Sequence, residues 1–368
     1  MKVPYVNLSI DDTHLLNKFQ KGWLKLASNG NFILGREVEK LEQRLARFCK
    51  TEYAITVGNG TDALILALKS LKLPSGSEVI TAPNSYLASA SSIFLAGLKI
   101  KFSDVDESLN LCPQSLKKTI TKKTKAVIFV HYTGQSTNID EIKSICEKNK
   151  IFLIEDSAQA FGCSSNKKPV GGIGDIGCFS LHPLKVLSGI GDGGFITTNN
   201  KSTYNFLRKA RNHGLKDRNN CEFWSINSRL DTINAIFLNE KLSSFKKEQA
   251  IRKKLALNYI RSLRSYVSFP NYDVSLHVFH LFIILTKNPR ERNRLYKYLH
   301  HNGIDAKIHY PKLIPEMAVL NNSVRQVAQT YPNAYRLNRT MITLPLYPKL
   351  SEDMQSFVIN TIKSFYEQ

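Results

Sequence analysis

The residue best placed for covalent chemistry is a lysine set in an apolar stretch. In FSLHPLKVLSGIGDGGFITTN, a strand end supplies Ser180, Pro183 stiffens a turn, and Lys185 follows, with Val186 and Leu187 after it. Partial desolvation lowers an amine's pKa and favours the free base that attacks an aldehyde. An ordinary surface lysine is the plain alternative. Gly189, Gly191, Gly193 and Gly194 would let the backbone return tightly after it. His182 lies three residues before the lysine, as a neighbour of the same site or as part of the turn.

Two further segments carry compatible chemistry. IFLIED reads as a buried strand ending at Asp156, which stands 29 residues before Lys185; Gln159 follows three residues after the acid. An acid at such a strand end can meet a ligand, cap a helix or bind a metal. Earlier, AITV runs into Gly58-Asn59-Gly60-Thr61 and then a helical pattern. The free N–H groups and dipole of a helix start attract an anion, and Thr61 adds a hydroxyl or serves as a simple cap. No lysine follows the glycine, so this is not a P-loop. Each signal is weak alone. Together they supply what pyridoxal 5'-phosphate requires: donors for a phosphate, a carboxylate for a ring nitrogen and an amine for an aldehyde.

The surrounding pattern says how these residues are positioned. Val38, Leu41, Leu45 and Phe48 mark an amphipathic helix. Strand-like runs follow at 78–82, 99–105, 125–131, 151–156, 177–180 and 194–198, with helical segments near 61–72, 86–97, 138–149 and 203–212. This alternation predicts an α/β protein with a mostly parallel sheet covered on both faces, its ligand at the strand ends. A long lysine-rich helix is expected from 234 to about 265, then a strand over 277–285, a helix over 290–303 and another strand in DAKIHYP. We expect residues 1–240 to form a large cofactor-binding domain and 241–368 a smaller C-terminal α+β domain.

Bulk composition narrows the class. The 368 residues are 42% hydrophobic and 22% charged, as in ordinary globular chains rather than disordered ones. No apolar run reaches the roughly 20 residues of a membrane span, and the first residues lack the apolar core of a signal peptide. Cysteines 49, 112, 146, 163, 178 and 221 are scattered, without metal-ligand spacing, so no metal is expected and a cytoplasmic setting fits. His277 and His280 read as the start of a strand, and His300-His301 as an exposed helix end. The net charge is +21, with lysine-dense stretches at 117–125 and 241–254. These read as solvated helix faces and loops rather than a nucleic-acid surface.

The stretches FILGREVEKLE, GNGTDAL, GSEVITAPNSYLASA, EDSAQAFG, GDIGCFSLHPLKVL, GDGGFITTN, NSRLDTINAIFL and KIHYP occur in this order. In order and spacing they resemble the DegT family of sugar aminotransferases, from about residue 30 to 347. The resemblance implies the three-layer fold of type I pyridoxal-phosphate enzymes, and transfer of an amino group from L-glutamate to a nucleotide-linked keto sugar. That places it in polysaccharide or deoxyamino-sugar synthesis, with the cofactor alternating with pyridoxamine 5'-phosphate. It also implies roles. Lys185 would hold the cofactor as a Schiff base and shuttle a proton, Asp156 would pair with the ring nitrogen, and Gln159 and Tyr86 would flank the ring. Gly60, Thr61 and Ser180 would bind the phosphate, and Asn227 would reach it from a neighbouring subunit in a homodimer with shared sites. Arg229, His309 and Tyr310 would line the approach of the sugar nucleotide. Plainer readings stay open: a core aromatic for Tyr86, an intersubunit ion pair for Arg229, a surface residue for His309. Val186 and HYTGQ (131–135) depart from common family patterns and bear on sugar specificity. Amination of a cyclic ketone, sugar dehydration on the same scaffold and a non-catalytic regulatory role are the alternatives. Lys185 argues against dehydration, because the best-known relatives of that kind carry histidine there.

Overall fold

A computed structural model describes residues 1–320 and 322–368. Two helices, α1 (Thr13–Asn29) and α2 (Arg36–Cys49), precede four alternating pairs. These are β1 (Tyr53–Val57) with α3 (Gly60–Ser70), β2 (Glu78–Thr81) with α4 (Ala88–Leu95), β3 (Lys99–Phe102) with α5 (Pro113–Thr119), and β4 (Thr124–Val130) with α6 (Ile139–Lys148). Then come β5 (Phe152–Asp156), a small hairpin of β6 (Ser164–Ser165) and β7 (Lys168–Pro169), β8 (Ile176–Ser180), β9 (Gly194–Thr198) and α7 (Lys201–Ala210). The remainder comprises α8 (Thr232–Leu263), β10 (Phe282–Leu285), α9 (Pro289–His301), α10 (Val324–Thr330), α11 (Pro332–Thr340), β11 (Met341–Leu344) and α12 (Glu352–Tyr366).

Seven strands form one sheet in the order β1-β9-β8-β5-β4-β2-β3. All run the same way except β9, which is antiparallel to both neighbours. The central strands are almost wholly buried, as in a sheet covered on both faces, whereas β3 at the edge is only partly buried, with Lys99 exposed. With β9 as the exception, the carboxyl ends of β1, β5 and β8 fall on one edge, which brings the Gly60 turn, Asp156 and Ser180 together despite their separation in sequence. β9 returns closely beside the turn: a Cβ on Gly194 would lie 2.5 Å from the Asn59 carbonyl oxygen, so only glycine fits.

A second core gathers Tyr259, Phe279, Phe282, Leu295, Leu299, Ile342 and Val358 around the two-stranded sheet of β10 and β11. Val3 belongs to it, bridged to Ile304, so the amino terminus packs against late segments of the chain. The 32-residue α8 links both cores. Asn234 near its start accepts from Ile190 N–H at 3.2 Å and donates to the Asp192 carbonyl at 2.9 Å, fixing the glycine-rich loop. Among the described residues no helix is long and apolar enough to cross a membrane.

Two expected strands are corrected. The strand expected over 277–285 begins only at Phe282, because Phe279 takes a left-handed φ of 49° that breaks the extended run. DAKIHYP forms a single bridge, Lys307 with Thr343, rather than a strand. Its polar tip turns into a cavity instead of extending a ladder.

Candidate active site

A cavity of about 760 Å³ opens over the carboxyl edge of the large sheet. Gly60, Thr61, Tyr86, Asp156, Gln159, Ser180, His182, Lys185, His309 and Tyr310 all line it. Its floor begins at α3. The Asn59 side chain accepts from Asp62 N–H at 2.8 Å and its carbonyl from Ala63 N–H at 3.1 Å. The first two helical amides, Gly60 and Thr61, are left to the cavity, since nothing precedes them in the helix to bond. A Cβ on Gly60 would come within 2.9 Å of Ser180 Cβ, so glycine here allows the α3 turn and the β8 end to close together. Asp62, which also lines the cavity, has its carboxylate engaged by the Asn59 amide at 3.1 Å and by Ser228 Oγ, which donates to it at 2.6 Å.

Asp156 ends β5 and is buried. Its Oδ2 accepts from Ser89 Oγ at 2.8 Å and its Oδ1 from Ala158 N–H at 3.2 Å. Burial raises its pKa above the usual carboxylate value, against the opposing pull of Ser89, Ala158 N–H, Lys185 and His131. Such a group is poised for a cationic partner that would hold it ionised. Its neighbour Glu155 points away and is saturated. It accepts from Gly171, Ile173 and Gly174 N–H at 2.7–2.8 Å and lies 2.9 Å from His131 Nε2. Burial opposes ionisation of Glu155, but His131 and these amides outweigh it and keep the pKa low.

Lys185 follows the β8 end through a turn in which its own N–H bonds to the His182 carbonyl at 2.8 Å. Desolvation lowers its pKa and Asp156 partly opposes this. Among the described residues its Nζ has neither a hydrogen bond nor an ion pair, which leaves an amine aimed at a void. Gln159 Oε1 accepts from Thr133 N–H at 2.8 Å, which fixes the amide beside the cavity. Tyr86 is 60% exposed at the mouth, its ring 5.6 Å from that of Tyr310, so it is no core aromatic. His309 is anchored through Nδ1 to Thr343 Oγ1 at 3.0 Å, and burial lowers its pKa to about 4.

Asn227 and Arg229 do not line the cavity of this chain. Between them Ser228 points inward, accepting from Gly58 N–H at 2.9 Å, and Asn227 is left exposed. Arg229 donates to Asn212 Oδ1 at 3.0 Å. Sequence reasoning missed Tyr5, Asp192, Arg252 and His280, which also line the cavity, and Ser89, which holds Asp156. His280 was hidden by the expected strand. Arg252 lies in the lysine-dense stretch assigned to solvent, yet its side chain is buried. The donor set nevertheless fits pyridoxal phosphate on its own terms: free amides and hydroxyls for a dianion, a buried carboxylate for a pyridinium, and an unpaired amine for an aldehyde.

The sequence model of the DegT/DnrJ/EryC1/StrS aminotransferase family matches residues 15–363. A "pleiotropic regulatory protein" of Geobacillus stearothermophilus is 34% identical, covering 100% of this chain and 99% of that protein. The UDP-2-acetamido-2-deoxy-3-oxo-D-glucuronate aminotransferase of Pseudomonas aeruginosa is also 34% identical, covering 95% of this chain and 96% of its own length. A crystal structure of a family aminotransferase from Brucella abortus superposes with a TM-score of 0.92 at 29% identity, with full coverage of both chains.

Proposed function

This chain belongs to the DegT/DnrJ/EryC1/StrS aminotransferase family, and from that premise we propose that it aminates a nucleotide-linked keto sugar, using pyridoxal 5'-phosphate and an amino-acid donor such as L-glutamate. The observation that carries the reading is the convergence of Lys185, Asp156 and the open start of α3 on one cavity. The Pseudomonas relative acts, by its name, on an oxo sugar carried by UDP. The product would be a glycosyl donor for polysaccharide or deoxyamino-sugar assembly.

When bound, the cofactor supplies an aldehyde that captures amines and a cationic ring that takes up the electron pair released at the substrate carbon. The protein does the rest. The amides of Gly60 and Thr61, with the Thr61 and Ser180 hydroxyls, hold the phosphate. Asp156 keeps the ring nitrogen protonated, an effect that grows as negative charge develops in the transition state. Lys185 would hold the group through its Nζ and, as a free amine, would take and return the proton at the substrate carbon. Tyr86 and Gln159, which line the same cavity, would flank the ring. His182, His309 and Tyr310 border the space left for the sugar.

The active unit in this reading is a homodimer. Asn227 is exposed next to the inward Ser228, where a partner's site can meet it. Tyr86, Leu95 and Leu184 at the cavity rim, with Phe94 and Trp224 elsewhere on the surface, are large exposed apolar groups. The regulatory name of the Geobacillus relative raises a non-catalytic reading, against which the intact catalytic set weighs. The test is to load the protein with pyridoxamine 5'-phosphate and screen keto nucleotide sugars by mass spectrometry for a product with nitrogen in place of oxygen. The visible absorbance of the pyridoxal form should vanish in Lys185→Ala. A cofactor spectrum unchanged by every keto sugar tried would refute the substrate class.

A further inference from the structure

The cavity holds a cation that the proposed reaction leaves without a task. Its lining includes Lys185, reserved for the cofactor, and three histidines, of which His280 and His309 are kept neutral by burial first and by nearby positive charge second. Arg252 is the remaining permanent positive charge there among the described residues, beside the carboxylates of Asp62, Asp156 and Asp192. It comes from the middle of α8 and is buried. One terminal nitrogen, Nη1, donates to the Leu346 carbonyl at 3.1 Å and, more weakly, to that of Phe279 at 3.5 Å. Its Nε is buried without a partner. No aspartate or glutamate among the described residues forms an ion pair with it, and Glu248, one turn away, is engaged by Lys241 at 3.3 Å.

A buried guanidinium without a counter-ion is unfavourable unless something supplies the anion. Its planar fork suits a carboxylate, which it can bind through two parallel N–H groups. Beside it in the same lining, His280 Nδ1 is likewise buried with no hydrogen-bond partner. A neutral imidazole can donate one N–H to the same anion. We propose that Arg252, assisted by His280, is a carboxylate-binding position of the active site, taking the acid group of a substrate while Lys185 handles its amine or carbonyl carbon. The inference rests on the transaminase reading above. Two sources share this chemistry: the amino-acid donor and a sugar bearing an acid group.

The two half-reactions separate the sources. Holoenzyme carrying Arg252→Gln or Arg252→Lys is compared with the unaltered protein, following cofactor absorbance in single turnovers. L-glutamate is offered to the pyridoxal form, and a neutral or a uronic keto sugar nucleotide to the pyridoxamine form. Loss of a charge-assisted contact should raise half-saturation by about 10- to 100-fold, with Lys recovering part of it. An effect confined to L-glutamate assigns the site to the donor, and one confined to the uronic sugar assigns it to the sugar acid; either supports the proposal. No effect, or the same loss with the neutral sugar, overturns it and leaves Arg252 as a staple between Phe279 and Leu346. Should the Gln variant not fold, glutarate and glutaramide are tested as competitors of the unaltered enzyme and of Arg252→Lys. Competition by glutarate alone, weakened in the Lys variant, supports the site; equal competition by both overturns it. Half-reactions missing from the unaltered holoenzyme would sink the transaminase reading itself, a different result from normal turnover indifferent to residue 252.

Discussion

Asp156 is the residue where small changes should be most visible. Its carboxylate is buried and would be hard to ionise alone, so each donor aimed at it counts toward keeping the proposed ring nitrogen protonated. Asp156→Asn keeps shape and hydrogen bonding but removes the charge; turnover should fall at least about 100-fold while the protein still folds. Ser89→Ala deletes the 2.8 Å bond to Oδ2. The carboxylate should then ionise less readily, and kcat should fall about tenfold with KM for the sugar little changed. Steady-state kinetics on both variants check this, and a Ser89→Ala enzyme with unaltered kcat would contradict it. Lys185, Asp156 and Gln159 were legible because each sits in a short motif whose local pattern fixes a strand end. Ser89 was not: it lies on α4, and only the sheet crossover carries it to β5. Arg252 is harder still, since a helix of repeated lysines gives no sign of which cation turns inward.

At the scale of elements, the β1–α3 turn and the approach to β10 carry the argument. A methyl group on Gly60 would press on Ser180 Cβ at 2.9 Å, where neither backbone can yield easily. Gly60→Ala should therefore weaken cofactor binding about tenfold, read by absorbance titration, with melting temperature of the cofactor-free protein changing less. The segment before β10 is fixed by His277, whose Nδ1 accepts from Phe279 N–H at 2.7 Å and whose Nε2 meets Thr133 Oγ1 at 3.1 Å. Burial lowers its pKa to about 3. Between that value and an unfolded value of about 6.5, the unfolded chain binds more protons than the folded one, so stability rises with pH across this window and is lost on acidification through it. At pH 5 the linkage amounts to about 2 kcal/mol. His277→Asn retains an acceptor and cannot titrate, so its melting temperature should decline less steeply than the parent's from pH 6.5 to 5. Parallel decline of both would refute the assignment. The strands of the large sheet were legible from their apolar runs and spacing. Two things were not: β9 running antiparallel, which no local residue encodes, and the irregular delivery of His280 and His309, whose alternating or apolar sequences mimic strands.

For the whole molecule, the decisive question is how many chains complete one site. Ser228 locks the NSRLD segment to the α3 turn from inside and leaves Asn227 facing outward, while the residues that bind the proposed cofactor face a cavity whose rim is apolar and open. In the proposed homodimer, one chain's phosphate cradle and the other's Asn227 amide would make a full set, exchanged about a twofold axis. Light scattering should then give twice the 41.7 kDa chain mass. A stronger consequence concerns mixtures. Lys185→Ala and Asn227→Ala dimers should each be nearly inactive, since one lacks the amine and the other a phosphate donor at both sites. After dissociation and reassembly in equal amounts, half the dimers are hybrids, and in each hybrid one site takes Lys185 from one chain and Asn227 from the other. Activity should recover to about a quarter of the unaltered enzyme's, and it should not recover when two Lys185→Ala preparations are mixed. A mixture no more active than its parents, at a mass that proves subunit exchange, would place Asn227 outside the partner's site and return the active unit to a single chain.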